Sequence, residues 1–315
     1  MRRSGELLLL DGSVSVINFK ELEQGDKEII DGFFQTRYYE NAHFNFTNLF
    51  MWRRAYNIMW TVEDGVLYMK AQWEGKEFAL QPFGPEGKME AAISRWLDYF
   101  KQQGKEFSMS GIDAAMAEQF RQYPRAEFIL SANRDEFDYV YRSEDLIKLA
   151  GRKFHAKKNH LNSFHQTYPE AEYQTITEEI ILQCKLTING WYRKHSQEAP
   201  DDPFIAAERE AIIEVLNHFS ELKLKGGAIL LGKRVVAFTF GEQLNRDTAV
   251  IHVEKADPEI RGAYPAINQG FVADAWADME FINREEDMGI EGLRKAKESY
   301  RPVKLIEKYT VQLKK

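Results

Sequence analysis

Glu254, His252 and Tyr300 have the residue types of acid–base chemistry. Glu254 lies near the end of an apolar run at residues 250–255, two positions after His252. A period of two puts both on one face of a strand. Burial there raises a carboxyl pKa toward useful basicity. The competing arrangement is a solvated strand end paired to Lys255 or Arg261. Tyr300 follows a helical segment at 289–299 and continues its apolar stripe of Ile290, Leu293 and Ala296. It is either a proton donor or a packed aromatic. Asn283, Arg284 and Glu285 close a strand predicted at 280–284, and open α/β sheets bind ligands at such strand ends. The run Glu285, Glu286, Asp287 precedes a helix. Carboxylates there complement the helix dipole, or Glu285 or Glu286 holds a substrate ammonium. A base, a proton donor and polar groups that position two reactants suffice for acyl transfer to an amine.

The cations form a second set. Residues 152–165 are the most basic stretch of the chain. On a helical wheel Lys153, Lys157 and His160 share a face, and Phe154, Leu161 and Phe164 spread around the apolar side. This predicts a basic amphipathic helix lining a groove between domains, whose grip on a polyanion falls steeply with salt. A solvated linker helix is the plainer alternative. In the 289–299 helix Arg294, Lys295 and Lys297 occupy the polar face, as an anion site for phosphate or as ordinary partners of the helix dipole. No metal site is expected. His155, His160 and His165 are five apart, so successive rings diverge by about 140° on a helix. The single cysteine, Cys184, sits in an apolar helical pattern and reads as a buried thiol. No Gly-x-Ser-x-Gly elbow and no phosphate-cradling Gly-x-x-x-x-Gly-Lys-Ser/Thr loop occurs.

The bulk composition limits the remaining classes. The chain has 315 residues, a formal charge of −7, 44% hydrophobic and 13% aromatic residues. That is enough for about two domains with sizeable cores, and the acidic balance argues against a general nucleic-acid coat protein. One cysteine allows no internal disulfide, which suits a cytoplasmic protein. The leucines at positions 7–10 are too few for a signal segment, and no apolar run reaches the ~20 residues needed to span a bilayer.

The elements that position these residues come in a series that occurs twice. In the second half a hairpin at 228–243 leads to a strand at 248–255, a Gly-containing turn, a helix at 264–278, a strand at 280–284, a helix at 289–299 and a strand at 303–313. In the first half a hairpin at 57–72 leads to a strand at 78–83, a Gly/Pro turn, a helix at 89–103, a strand at 107–110, a helix at 114–123 and a strand at 127–132. Asp64-Gly65 and Gly232-Lys233 are the hairpin turns. Two helices, 178–195 and 203–222, precede the second hairpin. The expected domains are 1–142 and 143–315. The first is non-catalytic, because its turn Gly84-Pro85-Glu86-Gly87 places an acid where a phosphate needs donors.

This order resembles the GNAT-type N-acyltransferase fold. Tandem copies of it resemble the Fem-type peptidoglycan aminoacyltransferases and the C-terminal domain of phosphatidylglycerol lysyltransferase. Residues 152–164, with their Lys/Asn/His spacing, and residues 285–309 carry the closest likeness. The resemblance implies an α/β (α+β) fold of two GNAT-like domains with mixed, mostly antiparallel sheets. It implies transfer of an aminoacyl group from aminoacyl-tRNA to an amine or hydroxyl, with a small molecule, peptide or lipid headgroup as acceptor. Tyr300 stands where many GNAT enzymes keep a proton-donating tyrosine. The coenzyme A turn of GNAT enzymes corresponds to Arg261-Gly262-Ala263-Tyr264-Pro265-Ala266. Here Tyr264 replaces a glycine-type position and Pro265 removes an N–H donor, so acetyl-coenzyme A is disfavoured and no cofactor is expected. The rivals are a non-catalytic binding module of the same fold and a coenzyme A-dependent N-acetyltransferase.

Overall fold

A computed structural model describes residues 17–198 and 203–314; the leucine run at 7–10 lies outside them. The first half runs β1 (Lys20–Glu21), α1 (Lys27–Phe34), α2 (Phe46–Trp52), β2 (Met59–Glu63), β3 (Val66–Trp73), β4 (Lys76–Leu80), α3 (Met89–Gln102), β5 (Ser108–Ile112), α4 (Ala114–Arg121), β6 (Phe128–Ala132) and β7 (Asp138–Arg142). The second half opens with α5 (Ser143–Lys148) and α6 (His155–Thr167). It then repeats the series as β8 (Ala171–Thr175), α7 (Glu178–Glu198), α8 (Pro203–Asn217), β9 (Lys225–Leu231), β10 (Arg234–Gln243), β11 (Thr248–Ala256), α9 (Ala263–Ala275), β12 (Phe281–Asn283), α10 (Glu291–Glu298), β13 (Lys304–Ile306) and β14 (Tyr309–Leu313). Asp64 and Gly65 both take positive φ in the first hairpin turn, as an Asp-Gly pair allows.

The chain is α/β with two mixed sheets, and each half follows the GNAT-like order. One sheet is ordered β1-β2-β3-β4-β5-β14-β6 and the other β13-β7-β12-β11-β10-β9-β8. The pairs β4–β5 and β11–β12 are parallel, and the other strand pairs are antiparallel.

The two sheets exchange strands. β7 leaves the first half and lies between β12 and β13. β14 leaves the second half and lies between β5 and β6. The segment at 303–313, expected as one strand closing the second unit, is therefore two strands in two sheets. The expected boundary after residue 142 falls at the end of a strand that belongs to the second sheet.

The halves also share a core. α2 packs against α8, and one buried cluster joins Phe46, Phe50 and Trp60 of the first half to Cys184, Leu216 and Phe240 of the second. A second cluster fills the other face of the second sheet around Phe164, Ile267, Phe271 and Tyr300. A third does the same for the first sheet around Trp96, Phe100 and Phe120.

Candidate active site

β11 and β12 pair for three residues and then part. The parallel register runs Thr248–Phe281, Ala249–Ile282 and Val250–Asn283. Beyond it, β11 carries a bulge: Gly241 faces Ile251 and Phe240 faces Val253, which leaves His252 without a partner on β10. A bulge bends its strand and ends regular pairing. Gly241 permits the close approach, since a Cβ there would lie 2.0 Å from the Val250 carbonyl oxygen. On the other arm Glu285 takes φ 56° immediately after Arg284. Lys297 holds that bend: its Nζ donates to the carbonyls of Arg284 (2.5 Å), Glu285 (3.0 Å) and Glu286 (2.5 Å). Burial lowers the Lys297 pKa to about 8.

The bulge also changes the face on which each side chain lies. Glu254 turns toward α9, and Glu254 and His252 do not share a face as strict alternation predicts. Glu254 Oε1 accepts from Arg284 Nη2 at 2.8 Å, and Oε2 accepts from Asn268 Nδ2 at 2.8 Å. Neither Lys255, which pairs with Glu208, nor Arg261 is its partner. The Arg284 guanidinium lies 4.8 Å from the Tyr300 ring centre and 5.6 Å from that of Tyr141. Lys157 reaches in from α6 and places its Nζ 4.2 Å from the centre of the same Tyr300 ring. Burial, then repulsion from Arg284, lowers the Lys157 pKa to about 8 despite the attraction of Glu254. Burial raises the Tyr300 hydroxyl pKa above its ordinary value, so the phenol keeps its proton at neutral pH. Two buried polar atoms in this group have no hydrogen-bond partner among the described residues: Arg284 Nη1 and Asn268 Oδ1.

His252 turns the other way, toward the first half. Its side chain is fully buried between Glu242, at 3.0 Å from Nε2, and Glu285, at 2.9 Å from Nδ1. Burial by itself would lower the imidazolium pKa. The two carboxylates overcome that and raise it to about 9. Asn48 of the first half also reaches Glu285. Next to this group Lys308 is wholly buried between Asp138 (2.6 Å) and Glu286 (2.9 Å), with His43 at 2.9 Å. Burial would raise the Glu286 pKa, but Lys308 and His43 hold it well below the usual carboxylate range.

The run Glu285, Glu286, Asp287 is thus three carboxylates with three separate tasks. Asp287 takes Arg294 on both oxygens at 2.8 Å and the Tyr139 hydroxyl at 2.5 Å. Against the burial that would raise it, those bonds lower its pKa to about 2. None of the three is a solvated dipole partner, and the cations that hold Glu285 and Glu286 come from the protein itself. Asn283 is structural: its Nδ2 donates to the Glu40 carbonyl (3.0 Å) and Asp138 (3.1 Å), and its Oδ1 accepts from Glu285 N.

The cationic faces need correction too. On α10 the buried position is Lys297; Tyr300, just after the helix, is buried too, while Ile290, just before it, is 52% exposed. Lys297 is therefore not on a solvent face. Lys295 is exposed and pairs with Glu291, and Arg294 is spent on Asp287 and Asp135. On α6, Lys157 enters the opening and His160 is exposed, while Lys153, in the turn before α6, pairs with Asp145 at 3.0 Å. α6 packs on α9 of its own half, so it borders the opening between β11 and β12. Arg261 and Tyr264 stand exposed at the first turn of α9. There the Ala263 N–H is spent on the Ile260 carbonyl. Gly262 (φ 87°) has the His160 carbonyl oxygen 2.7 Å from where a Cβ would be.

The sequence singles out neither Asn268 nor Tyr141, and it puts Lys297 on the polar face. Two of them left a signal. Asn268 interrupts the buried face of Ala263, Ile267, Phe271 and Val272 on α9, and a buried polar residue on an apolar stripe marks a bonded group. Lys297 lies four after Leu293 and three before Tyr300, on the stripe itself.

The order of elements and the parted strands define a tandem GNAT-like fold. The chain belongs to the phosphatidylglycerol lysyltransferase C-terminal family, whose sequence profile matches residues 36–312. A conserved protein of unknown function from Bacteroides thetaiotaomicron VPI-5482 is 36% identical, with 95% of this chain and 100% of that one covered and a TM-score of 0.87. The C-terminal domain of a protein assigned as a lysylphosphatidylglycerol synthetase from Agrobacterium fabrum shares the fold at 12% identity, with 91% of each chain covered and a TM-score of 0.62. An uncharacterized protein from Mycoplasmoides gallisepticum is 22% identical over 176 residues; the match spans 56% of this chain and only 56% of that relative's length. No helix among the described residues is long and apolar enough to cross a membrane.

Proposed function

We propose that this protein moves an aminoacyl group from aminoacyl-tRNA to a hydroxyl or amine of a lipid-type headgroup, in the opening between β11 and β12. The observation that carries this reading is the cluster of Glu254, Arg284, Asn268, Lys157 and Tyr300 at the point where the strands part. A carboxylate offers about four lone-pair sites, and Arg284 and Asn268 occupy two of those on Glu254. The remainder accept the proton that the acceptor loses as it attacks the ester carbonyl. When the tetrahedral intermediate collapses, the Tyr300 hydroxyl supplies a proton to the departing ribose oxygen. The family and the fold of the Agrobacterium domain support a lipid headgroup as acceptor.

The turn before α9 supports an ester donor over a coenzyme A thioester. Pro265 has no N–H, the Ala263 N–H is taken, and the His160 carbonyl crowds Gly262. A phosphate cradle needs such amides free.

The test offers purified protein charged tRNA carrying radiolabelled amino acids, together with phosphatidylglycerol vesicles. Label should pass into the lipid phase. Glu254→Gln should slow transfer by about 10²-fold or more, the range of a lost general base, and Tyr300→Phe should slow it less. Thermal melts of both variants check that the fold survives. Consumption of acetyl-coenzyme A in place of charged tRNA would reverse the choice of donor.

A further inference from the structure

We propose that β6 is a self-pairing edge: two copies of the chain join their first sheets through antiparallel β6 strands related by a two-fold axis. This association is independent of the transfer chemistry. The two sheets have four outer strands, β1, β6, β13 and β8. Three of them are blunted in the ways that keep an edge from pairing. β1 has only Lys20 and Glu21, β13 has three residues and begins with Lys304, and β8 presents Glu172 and Gln174 to solvent. β6 instead reads Phe-Ile-Leu-Ser-Ala, with no charge and no proline, and β14 is its one strand partner among the described residues. Ile129 is 53% exposed, beside Ser131, Thr310 and Gln312 on the same sheet face.

The free main-chain groups of β6 complement themselves. The Lys314 N–H donates to the Glu127 carbonyl at 2.9 Å, and the register sets Ile129 against Gln312 and Ser131 against Thr310. Bonded and non-bonded pairs alternate along an antiparallel ladder. Glu127, Ile129 and Ser131 therefore bond to β14, and the N–H and C=O groups of Phe128, Leu130 and Ala132 point to the open edge. An antiparallel copy centred on Leu130 sets Leu130 opposite Leu130 and Phe128 opposite Ala132, which makes about six main-chain hydrogen bonds. The two Ile129 side chains then lie diagonally across the axis, within reach of each other. The ends of the strand also match in charge. Arg125 and Lys314 stand exposed at its start, and Glu136 and Glu307 stand at its end. Antiparallel pairing lays each pair of cations beside the other copy's pair of carboxylates, while Glu127 meets the neutral Asn133. The remaining charges near the end are already matched: Arg121 with Glu118, Asp135 with Arg294, and Arg134 with Asp287. A two-fold contact of this kind closes on itself, and the blunted edges stop growth at the dimer.

Sedimentation equilibrium of the full chain at micromolar concentrations tests this, and should give twice the chain mass of 36.7 kDa. Residue-resolved amide exchange forms the second arm. The amides of Phe128, Leu130 and Ala132 should exchange more slowly as concentration rises, while those of Ile129 and Ser131, already bonded to β14, should not change. Ala132→Pro removes one outward N–H from each copy and none from the β6–β14 ladder. It should weaken association by about tenfold or more. Ile129→Lys puts a charge on the edge and should do the same. Lys101→Gln, an exposed change on α3, should leave association unchanged. Thermal melts check that each variant folds, and either of the two edge variants decides the matter alone. A chain that stays monomeric overturns the proposal. So does a dimer that persists undiminished in the edge variants, one that leaves the three outward amides unprotected, or growth beyond two copies.

Discussion

His252 keeps a proton that an exposed imidazole loses near pH 6.5, because Glu242 and Glu285 bond both ring nitrogens. Its folded pKa, about 9, lies above the unfolded value. The stability it contributes is therefore complete below pH 6.5 and is lost as pH rises through 9. Lys157 and Lys297 have the opposite sign. Their folded pKa values of about 8 lie below that of a free lysine, so folding gains from about pH 8 to 10.5. Urea melts should show stability falling between pH 6.5 and 8 and recovering above 8, where the two lysines outweigh the one histidine. The fall should be on the order of 2 kcal/mol for a shift of this kind. His252→Gln should abolish the decline; an unchanged slope in that variant would mean that another group is responsible.

At the scale of elements, α10 acts as a clamp. Lys297 ties three successive carbonyls of the bend after β12, Tyr141 donates to the Lys297 carbonyl, and Arg294 fixes Asp287. Together they keep Arg284 facing Glu254 and Glu285 facing His252. Lys297→Met fills the space but leaves buried acceptors unmatched, at about 1–3 kcal/mol for each group. Chemical denaturation should show a loss of about 3 kcal/mol or more. The transfer rate should fall as well, because the arm that presents Arg284 loosens. A Lys297→Met protein as stable and as active as the native one would remove the clamp from the account.

For the whole molecule, the exchange of β7 and β14 makes each sheet depend on both halves. Lys308 lies between β13 and β14 and is buried against Asp138 of β7 and Glu286. Ending the chain after Glu307 removes β14, separates β5 from β6 and leaves two buried carboxylates without their cation. Breaking such a pair is strongly destabilising, so the truncated protein should fail to give a cooperative melt. Residues 1–142 and 143–315 should each fail to fold alone, and their co-expression should recover a folded complex. A folded, monomeric 143–315 fragment would contradict the dependence.

The order of elements was legible because it is local. Hairpin turns, helix stripes and strand periods are properties of neighbouring residues, and they revealed the doubled series and its family likeness without coordinates. The same information placed Glu254, Tyr300 and Lys157 near one another through the fold they imply. Tertiary structure alone decided where β7 and β14 go, because strand partners lie far apart in the chain and pair by register. It also decided which carboxylate meets which cation. A single bulged residue on β11 moved His252 off the face of Glu254, and alternate residues after β12 then sent Arg284 and Glu285 to opposite sides. Periodicity cannot report such a break in its own phase, so the pairing of charges emerges only when the two halves close on each other.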